Sequence, residues 1–449
     1  MMKYFARVSS LIIFFLMVAL LTSGFMHNSW NTVGRKWFVE WQTTQDTYFV
    51  GRLVQSRQAG VFSYAGLLGH GDLSRFSDQT EVVQHQYDVY LDQGSFAEFN
   101  SYNSAIDAQG ILFGLFDKYT GFPPEQNLFF FQGMTSILSA SILAMLVIWL
   151  YMEFGILSAI LAGTFMILSE WLTLFGGSVY WSLWSNYLPL IASLYYFQQN
   201  QSDSKSGGNL APLVFLTILI KCLFNGFAYI TTILIMAYSP LIYYALINNW
   251  GRKSFIDAFL KMAVAEFLAI LSALGILIYQ NSVVLGGFDK ALAYVVYSLD
   301  KRSIGDPNAF TGALAESLRA SPLFVLKGYV MGRAIKLDLA FLSSYFSNWD
   351  IKAFDVSYAI IFSIFLVVSL LFFMLRKENG GEKRAKISSF MITTWLSMLA
   401  PLSWFIIFKA HSYLHYHLNF IIWQMPFALF GFGMCGAIIQ SLVTRATKQ

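Results

Sequence analysis

Residues 127–151 read NLFFFQGMTSILSASILAMLVIWLY, a run without one charged side chain. A helix rises 1.5 Å per residue, so a run of this length spans the roughly 30 Å hydrocarbon layer of a bilayer. No water reaches the backbone there, and a helix satisfies its own N–H and C=O groups. The segment therefore reads as a transmembrane helix and sets the template for the chain. Nine further runs fit the same measure: Val8 to Met26, Phe154 to Phe175, Ser178 to Phe197, Leu210 to Phe224, Phe227 to Ile247, Phe259 to Gln280, Val356 to Leu375, Ile387 to Phe408 and Leu418 to Val443. The expected fold class is an all-α integral membrane protein with about ten transmembrane helices. Between Leu210 and Ile247 only the turn-like dipeptide Asn225-Gly226 breaks the apolar run.

Composition agrees with this reading. Of 449 residues, 56% are hydrophobic and 12% charged, against roughly 25% charged in soluble domains, which excludes a soluble globular enzyme. Cys222 and Cys435 both lie in apolar runs, which leaves no disulfide framework and no CxxC site. There is no phosphate-cradling glycine motif, and a net charge of +4 gives no nucleic-acid footprint. Lys3 and Arg7 precede the first run as in a signal peptide, but the run is longer than a signal core and no small-x-small site closes it. It is expected to be a retained helix.

Orientation follows from basic residues in short loops, which favour the cytoplasm. Lys3, Arg7, Lys205, Arg252, Lys253, Arg376, Lys377, Lys383, Arg384, Lys386, Arg445 and Lys448 then lie inside, giving an N-in/C-in topology. The turns at Gly176-Gly177 and Asn225-Gly226 fall outside and carry no charge. Two long polar stretches also fall outside, 27–126 and 281–355. The first holds eleven acidic against six basic residues; the second is near balance, with Arg302, Arg319, Arg333 and Lys352 among its cations. Apolar residues recur at helical spacing in the first (Phe49, Leu53, Val54; Ile111, Leu112, Leu115, Phe116), so short amphipathic helices on the membrane face are expected. The length of the second suggests a cover over a site.

Asp46 lies about twenty residues beyond the first apolar run, beside Trp37, Trp41 and Tyr48, where a reactive carboxylate would meet lipid headgroups. A plainer role is the N-cap of a helix over Tyr48 to Gln58. Asn caps as well as Asp, so that role predicts only a few tenths of a kcal/mol for Asp46→Asn. Ionisable residues within apolar runs also point to function. Glu170 and Lys221 fall at similar depth and either pair with each other or meet a polar headgroup. Lys261 and Glu266 are read as snorkelling or packing, and Trp181, Trp184 and Asn186 as an aromatic belt or a sugar site. His411, His415 and His417 follow Lys409 in one hairpin. His411 and His415, four apart, share a helical face that suits a divalent metal, although no third ligand follows at obvious spacing. The other readings are backbone hydrogen bonding, or a polar cluster that binds phosphate or sugar.

The run Asp46-x-Tyr48-Phe49-x-x-Arg52 resembles the first-loop segment of oligosaccharyltransferases, members of the GT-C superfamily of lipid-linked-sugar glycosyltransferases. The topology is similar as well: an N-in first helix, a large first outer loop and many spans. The second half lacks the WWDYG signature of the oligosaccharyltransferases, so peptide glycosylation is not implied. The resemblance implies a bacterial cytoplasmic-membrane enzyme with an outward-facing site, a polyprenyl-phosphate-linked sugar as donor and a glycan or glycolipid as acceptor. It implies Asp46 as general base, with Glu40 as substitute. Arg52, Glu170, Lys221, Lys409, His411, His415 and His417 are then expected around the donor and acceptor. Two other classes remain open. A polymerase or ligase of lipid-linked glycans would use Arg302, Arg319 and Arg333 on a pyrophosphate. A transporter would show inverted repeats with paired broken helices, of which Asn225-Gly226 is a single unpaired hint.

Overall fold

The structure, a computed structural model, describes residues 2–200, 209–337, 354–374 and 381–446. Lys205, Lys352, Arg376, Lys377 and Lys448, used above for loop charge, lie outside the described residues. Among the described residues the fold is all-α apart from two small antiparallel hairpins. Among the described residues six helical stretches, three of them made of two adjoining helices, are long and apolar enough to cross a membrane, or seven if one bent pair counts as a single span, against the ten expected.

Helices occupy most of each expected run, but several runs are divided between two helices or start later than expected. The first is α1 (Met2–His27). The first polar stretch then folds as α2 (Arg35–Ala59), a hairpin of β1 (Gly69–Gly71) with β2 (Phe99–Ser101), α3 (Gln79–Leu91) between those strands, and α4 (Ala108–Thr120). α5 (Pro124–Phe154) starts on a proline at its first turn, where the missing N–H costs nothing, and ends at Gly155 with φ 96°. Its 31 residues span about 46 Å at helical rise, more than the roughly 30 Å hydrocarbon layer of a bilayer. Phe131 on that end packs with Phe49, Val50, Leu53, Val54, Tyr90 and Phe99 of the first stretch. The expected flat amphipathic helices are thus replaced by a small packed unit, in which α2 is buried on all sides from Phe49 to Ser56.

The run expected at 154–175 is broken. α6 (Ile156–Leu168) ends at Ser169, and α7 (Glu170–Gly176) leaves at 69°. Ser169 caps α7 by accepting from the Leu172 N–H, and Glu170 occupies its first turn, both favourable at a helix N-terminus. α7 then closes on α1: a Cβ on Gly176 would lie 2.3 Å from the Phe25 ring. The next helix, α8 (Leu183–Gln199), begins five residues later than expected because 178–182 form a turn.

α9 (Leu210–Asn225), α10 (Ile230–Ala237), α11 (Ser239–Ile247) and α12 (Arg252–Leu285) follow, with Gly226 at φ 51° between α9 and α10. The second polar stretch holds α13 (Phe288–Asp300), α14 (Gly312–Arg319), α15 (Pro322–Met331) and β3 (Arg333–Leu337), which pairs with β4 (Phe354–Ser357). The chain closes with α16 (Tyr358–Met374), α17 (Glu382–Ser397), α18 (Leu399–Ile407), the single turn and a half α19 (Lys409–Leu414), and α20 (Phe427–Ala446). α8, α9 and α16 have 17, 16 and 17 residues, about 24 to 26 Å at helical rise. They are shorter than a hydrocarbon layer, which is why apolar runs outnumber helices long enough to cross.

Candidate functional site: two side-chain clusters on one clamped turn

Asp46 does not cap its own helix. It lies in the middle of α2, is 2% exposed, and clamps the turn between α7 and α8. Its Oδ1 accepts from the Ser178 hydroxyl at 2.7 Å and the Tyr180 N–H at 3.0 Å; its Oδ2 accepts from the Val179 N–H at 3.3 Å. One position earlier, Gln45 Oε1 accepts from the Trp181 indole N–H at 3.0 Å. Burial pushes the Asp46 carboxyl up to about 6, and these bonds pull against that rise. The turn thus aims Tyr180 and Trp181 in fixed directions from α2.

Trp181 belongs to a closed circuit of rings. Neighbouring centroids run Trp41 to Phe175 5.2 Å, Phe175 to Trp181 4.9 Å, Trp181 to Tyr229 5.6 Å and Tyr229 to Trp404 5.3 Å. The circuit continues from Trp404 to His411 5.5 Å, His411 to His415 4.6 Å, His415 to His417 6.1 Å, and His417 back to Trp41 6.3 Å. The indole N–H groups of Trp41 and Trp404 are buried without a hydrogen-bond partner, as is Asn419 Oδ1. Buried polar atoms normally find partners, and these two indole donors of one circuit have none. His415 is pushed down to about 4 by burial and by its neighbours His417 and Arg302, and His411 is lowered for the same reasons. At neutral pH both are uncharged, each with one N–H to donate.

On the other side of the turn lies a cluster rich in tyrosine. Tyr48 stacks on His70 at 4.0 Å and approaches Tyr102 at 4.9 Å and Tyr180 at 6.1 Å. Behind Tyr180 sits Asp107, 2% exposed. Gln109 Nε2 bridges the Tyr180 carbonyl (3.3 Å) and Asp107 Oδ1 (3.1 Å). The two carboxylates, Asp46 and Asp107, are therefore linked through one residue of the turn and one amide. Asp107 Oδ2 and Gln109 Oε1 are buried and without a partner. Burial pushes the Asp107 carboxyl up to about 8, against the single bond from Gln109.

The expected site residues divide between these clusters and the scaffold. His411, His415 and His417 form the indole-imidazole circuit. Lys221 stands beside it without entering. It is fully buried in α9, and its Nζ donates to the carbonyls of Gly226 at 2.8 Å and Ala228 at 2.5 Å. The same link carries Asn225, which donates to the Trp181 carbonyl, so Lys221 braces one turn against the other. Glu170 does not pair with Lys221: it takes two bonds of 2.9 Å from the Arg333 guanidinium, and Asp355 lies 3.8 Å from the same arginine. Arg52 is fully buried and donates to the carbonyls of Gly60, Val61, Ser63 and Leu67 and to Ser56 Oγ. It is a clasp on the loop after α2. Lys409 donates to the carbonyls of Leu318 and Ala320 and caps α14. Glu40 is exposed and faces Lys36 at 3.5 Å. Trp184 packs on Phe224, and Asn186 is buried with neither amide atom bonded.

Among the described residues no group of three or more His, Cys, Asp or Glu side chains gathers to hold a metal ion. Trp404, Tyr229, Asp107 and Gln109 are not singled out by the sequence, and Trp41 stands out there only as a neighbour of Asp46. The tryptophans look like belt residues there, and Asp107 precedes an apolar run as an N-cap does, yet its side chain makes no cap bond. No family model, characterised protein or solved structure matches the chain.

Proposed function

We propose that this protein is a membrane glycosyltransferase that moves a sugar from a polyprenyl-phosphate donor to a hydroxyl of a glycan or glycolipid at the outer face of the bacterial cytoplasmic membrane. In this reading the topology is N-in/C-in, and the clamped turn and both clusters face outward. The carrying observation is the indole-imidazole circuit with its two orphaned indole donors. A phosphate is acceptor-rich and gains negative charge as the glycosidic bond breaks, so preorganised N–H donors beside it stabilise the transition state. The Arg302 guanidinium lies close enough to His411 and His415 to act on both electrostatically, which adds positive field without a metal ligand set. A lipid-linked donor enters sideways from the bilayer and needs no tunnel from water.

The resemblance gives Asp46 the general-base role, and its bonds from α2 to the turn between the clusters support a part in the reaction. The polymerase or ligase alternative asks for arginines free to hold a pyrophosphate, and Arg333 is already engaged by Glu170.

The test uses purified protein in nanodiscs, titrated with undecaprenyl phosphate and with undecaprenol while tryptophan emission and native mass are followed. The phosphate is expected to bind at least tenfold tighter than the alcohol, and Trp404→Phe with His411→Ala to remove that preference. Equal binding of the two lipids would refute the reading.

A further inference from the structure

The Asp107 cluster has a chemical sign opposite to that of the indole-imidazole circuit. The circuit offers hydrogen-bond donors; the cluster, with Asp107 ionised, offers acceptors. Asp107 Oδ2 and Gln109 Oε1 are buried and unpartnered, 2% and 1% exposed respectively. They lie next to each other, because the Gln109 amide nitrogen bonds the other Asp107 oxygen at 3.1 Å. An unbonded buried acceptor costs about 1–3 kcal/mol, and two together call for a ligand that brings donors. Half-buried Tyr48, Tyr102 and Tyr180 wall the cluster, offering flat ring faces. Hydroxyl donors along an apolar C–H face are the combination that a sugar ring presents. Asp46, by contrast, already accepts three bonds from the turn.

We propose that this cluster is the acceptor subsite, that it takes a sugar hydroxyl, and that Asp107 rather than Asp46 is the base of the transfer. The proposal rests on the glycosyltransferase reading and deepens it. Asp107 Oδ2 receives the proton of the acceptor hydroxyl. The hydroxyl oxygen forms its bond to the anomeric carbon as the bond from that carbon to the phosphate oxygen breaks. The electron pair leaves with polyprenyl phosphate, and the proton passes from Asp107 to water after product release. Gln109 Oε1 accepts from a second hydroxyl and orients the ring. Asp46 is a positioning residue, acting through the turn that carries Tyr180. Burial pushes the Asp107 carboxyl up to about 8, so only its ionised fraction can take the proton, and transfer should rise with pH toward about 8.

The probes are methyl glycosides of glucose, galactose, mannose, rhamnose and N-acetylglucosamine, followed by saturation-transfer NMR on the protein in nanodiscs. At least one is expected to bind wild type, with binding lost in Asp107→Asn and weakened tenfold or more in Gln109→Ala. Undecaprenyl phosphate binding should stay within twofold in both variants, which also reports that they fold. With a donor that wild type turns over, Asp107→Asn should lower kcat about 10²- to 10⁴-fold at unchanged donor KM, and Asp107→Glu should recover part. No glycoside binding in a wild-type protein that does bind undecaprenyl phosphate would overturn this proposal and leave the glycosyltransferase reading standing. Near-normal kcat in Asp107→Asn would overturn it as well. Failure of wild type to bind undecaprenyl phosphate would overturn both.

Discussion

Replacing Asp46 by asparagine separates the clamp from an ordinary helix cap. In the folded chain its carboxylate accepts three bonds, two at Oδ1 and one at Oδ2. Asparagine keeps one acceptor oxygen, which can serve Ser178 and Tyr180, but it turns an NH2 group toward the Val179 N–H. That amide then sits buried against a donor, and an unsatisfied buried donor costs about 1–3 kcal/mol. The cost is local to the turn. Opening of the 178–182 segment should become easier by that amount, so hydrogen exchange at Val179 and Tyr180 should accelerate about 5- to 150-fold in Asp46→Asn, while exchange in the centre of α5 should not change. The difference also depends on pH. Burial raises the Asp46 carboxyl from 3.8 to about 6, so keeping it ionised costs the folded turn stability; in wild type the turn should exchange more slowly as pH falls from about 6 toward 3.8, and in Asp46→Asn it should show no such response. An N-cap role would instead leave the turn untouched and cost a few tenths of a kcal/mol at a helix start. Unchanged exchange at Val179 and Tyr180 in a folded Asp46→Asn protein would refute the clamp.

Arg52→Lys should destabilise the first-stretch unit by about 2–4 kcal/mol, because one ammonium cannot reach the loop carbonyls that the guanidinium fork holds; urea unfolding followed by limited proteolysis at 60–67 reads this, and wild-type resistance would show the clasp to be dispensable. Acid stability should track the histidine circuit. His415 is lowered from 6.5 to about 4 in the fold, so it contributes stability fully present above 6.5 and lost as pH falls from there toward 4. A His411→Gln, His415→Gln protein should show a flatter melting temperature over that window, and an unchanged slope would place the acid sensitivity elsewhere.

The apolar runs were legible because a bilayer demands length and apolarity, and those are properties of single segments. The break at Ser169-Glu170 was written in the sequence as a helix start, yet the surrounding apolar run concealed it. Asp46 was found by position and misread in its partners: the donors it accepts from are more than 130 residues away, and no local pattern announces them. Glu170 and Lys221 are both buried, as ionisable residues within apolar runs, but their partners, Arg333 and the Gly226 and Ala228 carbonyls, are set by how α7 bends and how the link after α9 folds back. Arg52 and Lys409 read as free cations only because backbone carbonyls, which every sequence has, do not show up as partners. Asp107 was one carboxylate among eleven in its stretch; only burial and an unpartnered oxygen distinguish it.

The most direct test of the central claim is turnover. Protein in proteoliposomes is given undecaprenyl-phosphate-linked glucose, galactose, mannose, rhamnose or N-acetylglucosamine with a cell-envelope glycan extract as acceptor, and released undecaprenyl phosphate is measured by mass spectrometry. Acceptor-dependent release from at least one donor is expected, abolished in the His411→Ala, Trp404→Phe protein. Intact donors throughout, or release that the variant retains in full, would contradict it.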